Sequence, residues 1–240
     1  MKKIFSFLKN NKHFFLLLYA AVYIPWFCQV EKKVNIHSDF HIIHMALDDY
    51  IPFCEFFIIP YYLWFVYMAV SIIYIAFNDG PTCWRMGAFL ITGMTVFLII
   101  STVYPNGHHL RPDTFARDNF CVDLVRKLYA TDTPTNLFPS IHVYNSIGVH
   151  LALIHCNKLM KNPKTKWVKP VSLVLMISII LSTMFLKQHS VFDVLTAFAL
   201  AAGMYFVCYG SLSRVIENSW LKREKSRQKP RKAKASDQSL

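Results

Sequence analysis

Charged residues are scarce in this chain of 240 residues. Asp, Glu, Lys and Arg make up 17% of it, whereas a soluble domain usually carries about a quarter. Hydrophobic residues make up 54%, and they collect in six runs that contain no charged residue. These runs are Phe14–Val30, Phe56–Asn78, Met86–Leu110, Leu137–Asn157, Pro170–Leu186 and Val194–Ser213. A helix that crosses a membrane needs about 17–25 predominantly apolar residues. The sequence therefore excludes a soluble class and predicts an all-α polytopic membrane protein, a bundle of six transmembrane helices.

Acidic residues are scarcer still, because Lys and Arg outnumber Asp and Glu by 26 to 14. Most of the Lys and Arg fall into alternate segments between the predicted helices, on the side that holds both termini. Positive charge collects on the cytoplasmic side of membrane proteins, so both termini are predicted to be cytoplasmic. Residues 1–213 form the expected membrane domain, and residues 214–240 form a basic, disordered tail resting on anionic lipid. No aromatic stacking platform accompanies this tail, so a nucleic-acid partner is not expected. A multi-pass location in the cell membrane is expected.

The six cysteines are scattered and include no CxxC pair, which indicates neither a zinc site nor a disulfide framework. We expect neither a metal nor a cofactor. The first outer segment, "EKKVNIHSDFHIIHMALDDY", does place His37, His41 and His44 at helical spacing. This pattern leaves two interpretations open, a polar helix at the membrane interface and, less ordinarily, a metal site.

Five polar residues fall at the outer face of the predicted bundle. Arg111 lies in the second outer loop, roughly 104–138, where a short helix is predicted across "DNFCVDLVRKLYA". Ser140 and His142 open the fourth span, His189 lies between the fifth and sixth, and Asp193 is one turn into the sixth. A neutral histidine beside a carboxylate is a competent nucleophile, and a second histidine can protonate a leaving oxygen. An arginine and a helix N-terminus can bind phosphate. Each residue alone has an ordinary structural explanation, but together they indicate phosphoryl transfer.

Across residues 100–200 the sequence resembles the type 2 phosphatidic acid phosphatase superfamily. The motifs KxxxxxxRP, PSGH and SRxxxxxHxxxD of that family correspond here to "YPNGHHLRP", "PSIH" and "STMFLKQHSVFD". The resemblance implies a six-helix bundle whose active site faces away from the cytoplasm and acts on a lipid phosphate. It implies that His189 forms a phosphohistidine, that Asp193 orients it, and that His142 is the general acid. It also implies that Arg111, Ser140 and Ser182 form the phosphate-binding set, with Ser182 supporting the third motif.

Three positions depart from the family motifs. Tyr104 replaces the lysine of the first motif, Ile141 the glycine of the second, and Thr183 the arginine of the third. Lys187, four residues after Thr183, is predicted to lie on the same helix face and to restore one charge to the phosphate site. His108 and His109 are weaker candidates to replace the missing lysine.

The missing cations leave three functional classes open. A lipid-phosphate phosphatase is the first, with phosphatidic acid or a polyprenyl pyrophosphate among its candidate substrates. A lipid phosphotransferase is the second, since "KQHSVFDVLTA" is similar to the histidine–aspartate segment of sphingomyelin and inositol phosphorylceramide synthases. A non-catalytic membrane member is the third. The sequence predicts no oligomeric state.

Overall fold

The structure is a computed structural model, and it describes residues 11–34 and 39–210. The predicted basic tail and His37 lie outside these residues. A 3₁₀ stretch, Lys12–Tyr19, leads into the first of the helices. These are α1 (Ala20–Lys33), α2 (Ala46–Tyr50), α3 (Ile58–Asn78), α4 (Gly80–Val103), α5 (Phe120–Thr131), α6 (Ile141–His155), α7 (Asn157–Met160), α8 (Val168–Phe185) and α9 (Val191–Tyr209).

Five helical segments in the described part of the chain are long and apolar enough to cross a membrane. They are Lys12–Lys33, Glu55–Asn78, Gly80–Val103, Pro163–Phe185 and Val191–Tyr209. The all-α membrane fold predicted from the sequence is thus confirmed. The predicted fourth span coincides with α6, whose 15 residues are fewer than the roughly 17 that a membrane crossing requires. The number six and the side of the termini stay predictions.

Helix α6 is the central element, because it packs against α3, α4, α8 and α9. Its contact with α4 is close at Gly93, where a Cβ atom would overlap the Tyr144 ring. A second close approach lies at Gly148, where a Cβ would come within 2.6 Å of Phe89. The Tyr144 hydroxyl donates to the Phe89 carbonyl over 2.9 Å, which satisfies its polar group inside the bundle. The start of α6 is thereby held firmly in the protein interior.

The outward faces of the peripheral helices are apolar. On α3, large exposed side chains include Phe65, Val66, Val70, Ile73 and Phe77. A continuous apolar surface of this kind is costly in water and is typical of a protein that contacts lipid.

The loops between the spans form a small polar layer at one end of the bundle. Two short strands, β1 (His41–Ile42) and β2 (Asn106–Gly107), pair in parallel there. The short helix predicted in the second outer loop is confirmed as α5, which Asn119 caps by accepting from the Val122 N–H over 3.1 Å. The helix predicted around His41 and His44 is wrong. His41 lies in β1 and stacks on Tyr104, with ring centroids 4.0 Å apart, because this backbone pairs with the second loop.

Candidate active site

The turn between α8 and α9 carries His189. Helix α8 ends at Phe185, and the chain then reverses through Lys187, which has a φ of 52°. The backbone N–H groups of Gln188 and His189 both donate to the Thr183 carbonyl, over 2.9 and 3.0 Å. The reversed turn places the His189 side chain in the protein interior, where it is buried.

A capping box at the start of α9 brings Asp193 to this histidine. The Ser190 hydroxyl accepts from the Phe192 N–H over 3.1 Å, and the Ser190 N–H donates to Asp193 Oδ2 over 3.0 Å. The Asp193 side chain therefore folds back toward the turn, where Oδ2 lies 3.4 Å from His189 Nδ1. Asp193 is fully buried, and its Oδ1 has no hydrogen-bond partner among the described residues. The predicted proximity is present, but it arises from a helix cap, since His189 itself precedes α9.

The start of α6 completes the second half of the site. Ser140 caps α6 by accepting from the Val143 N–H over 3.4 Å, and its own N–H donates to the Asp193 carbonyl over 3.3 Å. The His142 ring then lies 5.7 Å from the His189 ring, measured between centroids. "FPSIH" and "KQHSVFD", which are about 50 positions apart in the chain, meet at this point. The structure therefore brings both histidines, Asp193 and the cap of α6 into one cluster.

Aromatic side chains of α3 form the wall beside His142. Its ring centroid lies 4.9 Å from that of Tyr61 and 4.4 Å from that of Trp64. His142 Nδ1 is buried and has no hydrogen-bond partner in the described part of the chain. The ring is therefore enclosed by aromatic side chains and keeps Nδ1 available to a group bound beside it.

Arg111 approaches the same cluster from the second outer loop. Its guanidinium donates to the Asp132 carbonyl over 2.7 Å and to Gln188 Oε1 over 2.6 Å. It also lies 4.4 Å from the centroid of the Tyr129 ring. Burial lowers the pKa of Arg111, but a guanidinium stays protonated in proteins. These contacts fix a positive charge next to the residue that precedes His189.

The other two predicted phosphate ligands have different partners. The Ser182 hydroxyl donates to the Ile179 carbonyl of its own helix over 2.6 Å. Lys187 Nζ donates to the Asp48 carbonyl over 2.7 Å. The expectation that Lys187 shares a helix face with Thr183 is wrong, because α8 ends between them. The phosphate-binding roles of Ser182 and Lys187 stay predictions.

His108 serves as a neutral support for the site. Its Nδ1 accepts from the Leu110 N–H over 3.2 Å, so Nε2 carries the proton and donates to the Gln188 carbonyl over 3.0 Å. Burial lowers the pKa of His108 to about 4. The hypothesis that His108 replaces the missing motif lysine as a cation is therefore wrong. His109 lies beside Phe40, with ring centroids 5.6 Å apart.

Two residues of this region carried no clear functional signal in the sequence. Gln188 is buried and joins Arg111 to His108, although it is an ordinary polar residue in the sequence. Asp132 accepts from the Tyr61 hydroxyl over 3.3 Å, and burial raises the pKa of this carboxyl. Both residues belong to this region through hydrogen bonds to partners that are distant in the chain. A single sequence contains no pattern that reveals such partners.

The remaining candidate ligands are dispersed. Within residues 11–34 and 39–210, no group of three His, Cys, Asp or Glu side chains is placed to hold a metal ion. His44 pairs instead with Asp49 over 2.9 Å. The six cysteines are free thiols.

Comparison with known proteins agrees with this geometry. The sequence model of the PAP2 superfamily matches residues 109–217, which include Arg111, His142, His189 and Asp193. The predicted resemblance to the type 2 phosphatidic acid phosphatase superfamily is thus confirmed over these residues. Members of this superfamily are generally phosphatases or phosphotransferases. No curated protein and no solved structure matches the chain.

Proposed function

We propose that this protein is a membrane-embedded lipid-phosphate phosphatase that hydrolyses a phosphomonoester or pyrophosphate through a phosphohistidine. The observation that carries the proposal is the placement of His189 between the Asp193 carboxylate, 3.4 Å from Nδ1, and the His142 ring. With Nδ1 facing a carboxylate, Nε2 is the nitrogen left to attack phosphorus. We assign this site to the extracytoplasmic side, because the distribution of Lys and Arg predicts that both termini are cytoplasmic.

The first step transfers the phosphoryl group to the protein. His189 Nε2 attacks phosphorus, the bond from phosphorus to the lipid oxygen breaks, and His142 donates its proton to that oxygen. Asp193 stabilises the positive charge that develops on the His189 ring. Arg111 and the N–H groups at the start of α6 bind the non-bridging oxygens.

The second step returns the enzyme to its starting state. His142 accepts a proton from water, the water oxygen attacks phosphorus, and the bond from phosphorus to His189 Nε2 breaks. Inorganic phosphate leaves, and both histidines recover their initial protonation. Proton loss and gain at His142 balance over the two steps, so no further reactant is needed.

Phosphate release from a panel of lipid phosphates in detergent tests the proposal. We expect His189→Ala to abolish release and to prevent trapping of radioactive phosphate on the protein after an alkaline quench. His155→Ala is the matched control, since His155 lies at the opposite end of α6 and bonds to the Leu151 carbonyl over 2.7 Å. Undiminished release from His189→Ala would refute the mechanism.

A lipid phosphotransferase is the second candidate, and the missing cations favour it. The side chains at the two family cation positions have other partners, because Tyr104 stacks on His41 and the Thr183 hydroxyl donates to the Ile180 carbonyl. The sphingomyelin and inositol phosphorylceramide synthase branch likewise keeps two histidines and an aspartate without the full cationic set. In that case a lipid alcohol would replace water in the second step. Headgroup exchange that appears only on addition of a lipid alcohol would favour the transferase.

A further inference from the structure

Asp48 makes a set of contacts that the proposed chemistry does not require. It belongs to α2 in the first outer loop, yet its side chain is buried against the turn between α8 and α9. Oδ2 accepts from the Ser190 hydroxyl over 2.6 Å and from the Met45 N–H over 2.8 Å. Oδ1 accepts from the Val191 N–H over 2.7 Å. The backbone carbonyl of Asp48 accepts from Lys187 Nζ.

These contacts lie on both sides of His189. Lys187 is two residues before it, and Ser190 and Val191 directly follow it. A buried carboxylate is costly unless donors surround it, and here each oxygen has at least one. The Val191 N–H is also one of the free donors at the start of α9, where a negative charge is favourable.

The two buried carboxylates at this helix start have different tasks. Asp193 accepts from the Ser190 N–H and faces the His189 ring. Asp48 accepts from the Ser190 hydroxyl and the next backbone N–H, and in the part of the chain that the structure describes no hydrogen bond or ion pair joins it to the His189 ring. Its influence on the histidine therefore passes through the position of the turn.

We propose that Asp48 is a positioning residue, through which the first outer loop fixes the turn that carries His189. This inference rests on the proposed function, in which His189 is the nucleophile. A displacement of about 1 Å at a reacting group can reduce a rate by about 10²-fold. Loss of the carboxylate should therefore lower kcat by about 10- to 100-fold with little change in KM, because the hydrogen bonds of Asp48 go to the turn and not to Arg111 or to Ser140, the cap of α6.

Asp48→Asn is the variant that tests this role. An amide can replace only one carboxylate oxygen as an acceptor, so its NH₂ group would face a donor, either the Val191 N–H or the Met45 N–H. Asp49→Asn is the matched control, because the Asp49 side chain is 66% exposed and pairs with His44. Asp48→Glu keeps the charge but moves it by one methylene, and it serves as the milder variant if Asp48→Asn does not fold.

Two measurements in detergent separate this inference from the proposed function. The first is hydrogen exchange of the backbone amides in residues 186–193, which needs no substrate. The second is kcat and KM for lipid-phosphate hydrolysis. We expect faster exchange in this segment and a lower kcat for Asp48→Asn, an intermediate effect for Asp48→Glu, and wild-type behaviour for Asp49→Asn.

Each contrary outcome has a distinct meaning. Unchanged exchange in Asp48→Asn would show that the loop does not fix the turn. Faster exchange with an unchanged kcat would overturn the positioning role while leaving the phosphatase intact. A wild-type protein that is inactive on every lipid phosphate would count against the proposed function, and exchange alone would then decide whether Asp48 fixes the turn.

Discussion

Replacing Asp193 by Asn removes a charge from the candidate site while keeping its shape. In the wild-type protein Oδ2 accepts from the Ser190 N–H over 3.0 Å and lies 3.4 Å from His189 Nδ1. The amide oxygen of Asn can occupy the Oδ2 position and keep the bond to Ser190. The nitrogen would then lie where Oδ1 has no partner in the described part of the chain. The variant should fold normally and lose only the negative charge.

The size of the effect follows from the distance. A full positive charge on His189 and the Asp193 carboxylate, 3.4 Å apart, attract each other by about 5 kcal/mol at an effective dielectric constant of about 20. This value is an upper estimate, since the ring is only partly charged in the transition state. At about 1.4 kcal/mol per tenfold change in rate, we expect kcat to fall by about 10²- to 10³-fold. Stability should fall by less than about 1 kcal/mol, the usual value of a carboxylate in a first helical turn.

The assay compares kcat, the rate of phosphohistidine formation and thermal unfolding for the wild type and Asp193→Asn. Asp123→Asn is the control, because Asp123 is an exposed residue of α5 that pairs with Arg126 over 2.8 Å. A kcat for Asp193→Asn within about threefold of the wild type would refute the electrostatic role, since so small a loss corresponds to less than about 1 kcal/mol. A large drop in unfolding temperature would instead assign Asp193 a mainly structural role.

Two further predictions concern stability. Unfolded His108 should bind a proton near its ordinary pKa of about 6.5, whereas the folded pKa is about 4. Between these values the unfolded state holds more protons, so acid destabilises the fold by about 3 kcal/mol through this residue. His108→Asn should flatten the pH dependence of unfolding between pH 6.5 and 4, and an unchanged slope would contradict the assignment. Gly93→Ala should lower stability by about 1–3 kcal/mol through overlap with Tyr144. Gly203→Ala, where a Cβ would contact nothing within 4 Å, should be neutral or slightly stabilising, and equal effects in thermal unfolding would contradict the packing.

Features determined by local sequence could be predicted. Apolar runs predict the five long helices, because length and hydropathy alone decide whether a helix can lie in lipid. The helix α5 follows an Asn cap in an otherwise polar loop. The meeting of His142 with His189 follows from counting the spans, which places both residues at the same end of the bundle.

Features that depend on long-range partners could not be predicted. Helical spacing suggested that Lys187 would lie beside Thr183, but α8 ends at Phe185 and the lysine turns toward Asp48. His41 follows a helical pattern too, yet its backbone pairs with the segment after α4. In both cases a distant part of the chain supplied hydrogen bonds that outweighed the local preference.

The start of α9 combines one contact that the local sequence predicts with one that it does not. Ser190 and Asp193 have the three-residue spacing of a capping box, so the orientation of Asp193 toward the turn is encoded locally. Asp48 accepts from the same helix start over shorter distances, 2.6 and 2.7 Å, but it lies 142 positions from Ser190 in the chain. Only the folded structure relates the two. The local cap determines which way the Asp193 carboxylate points, and we infer that Asp48 determines how firmly the turn with His189 is held. Substitution of Asp48 should therefore affect the rate, although this residue lies in the first outer loop and is not proposed to touch the phosphate.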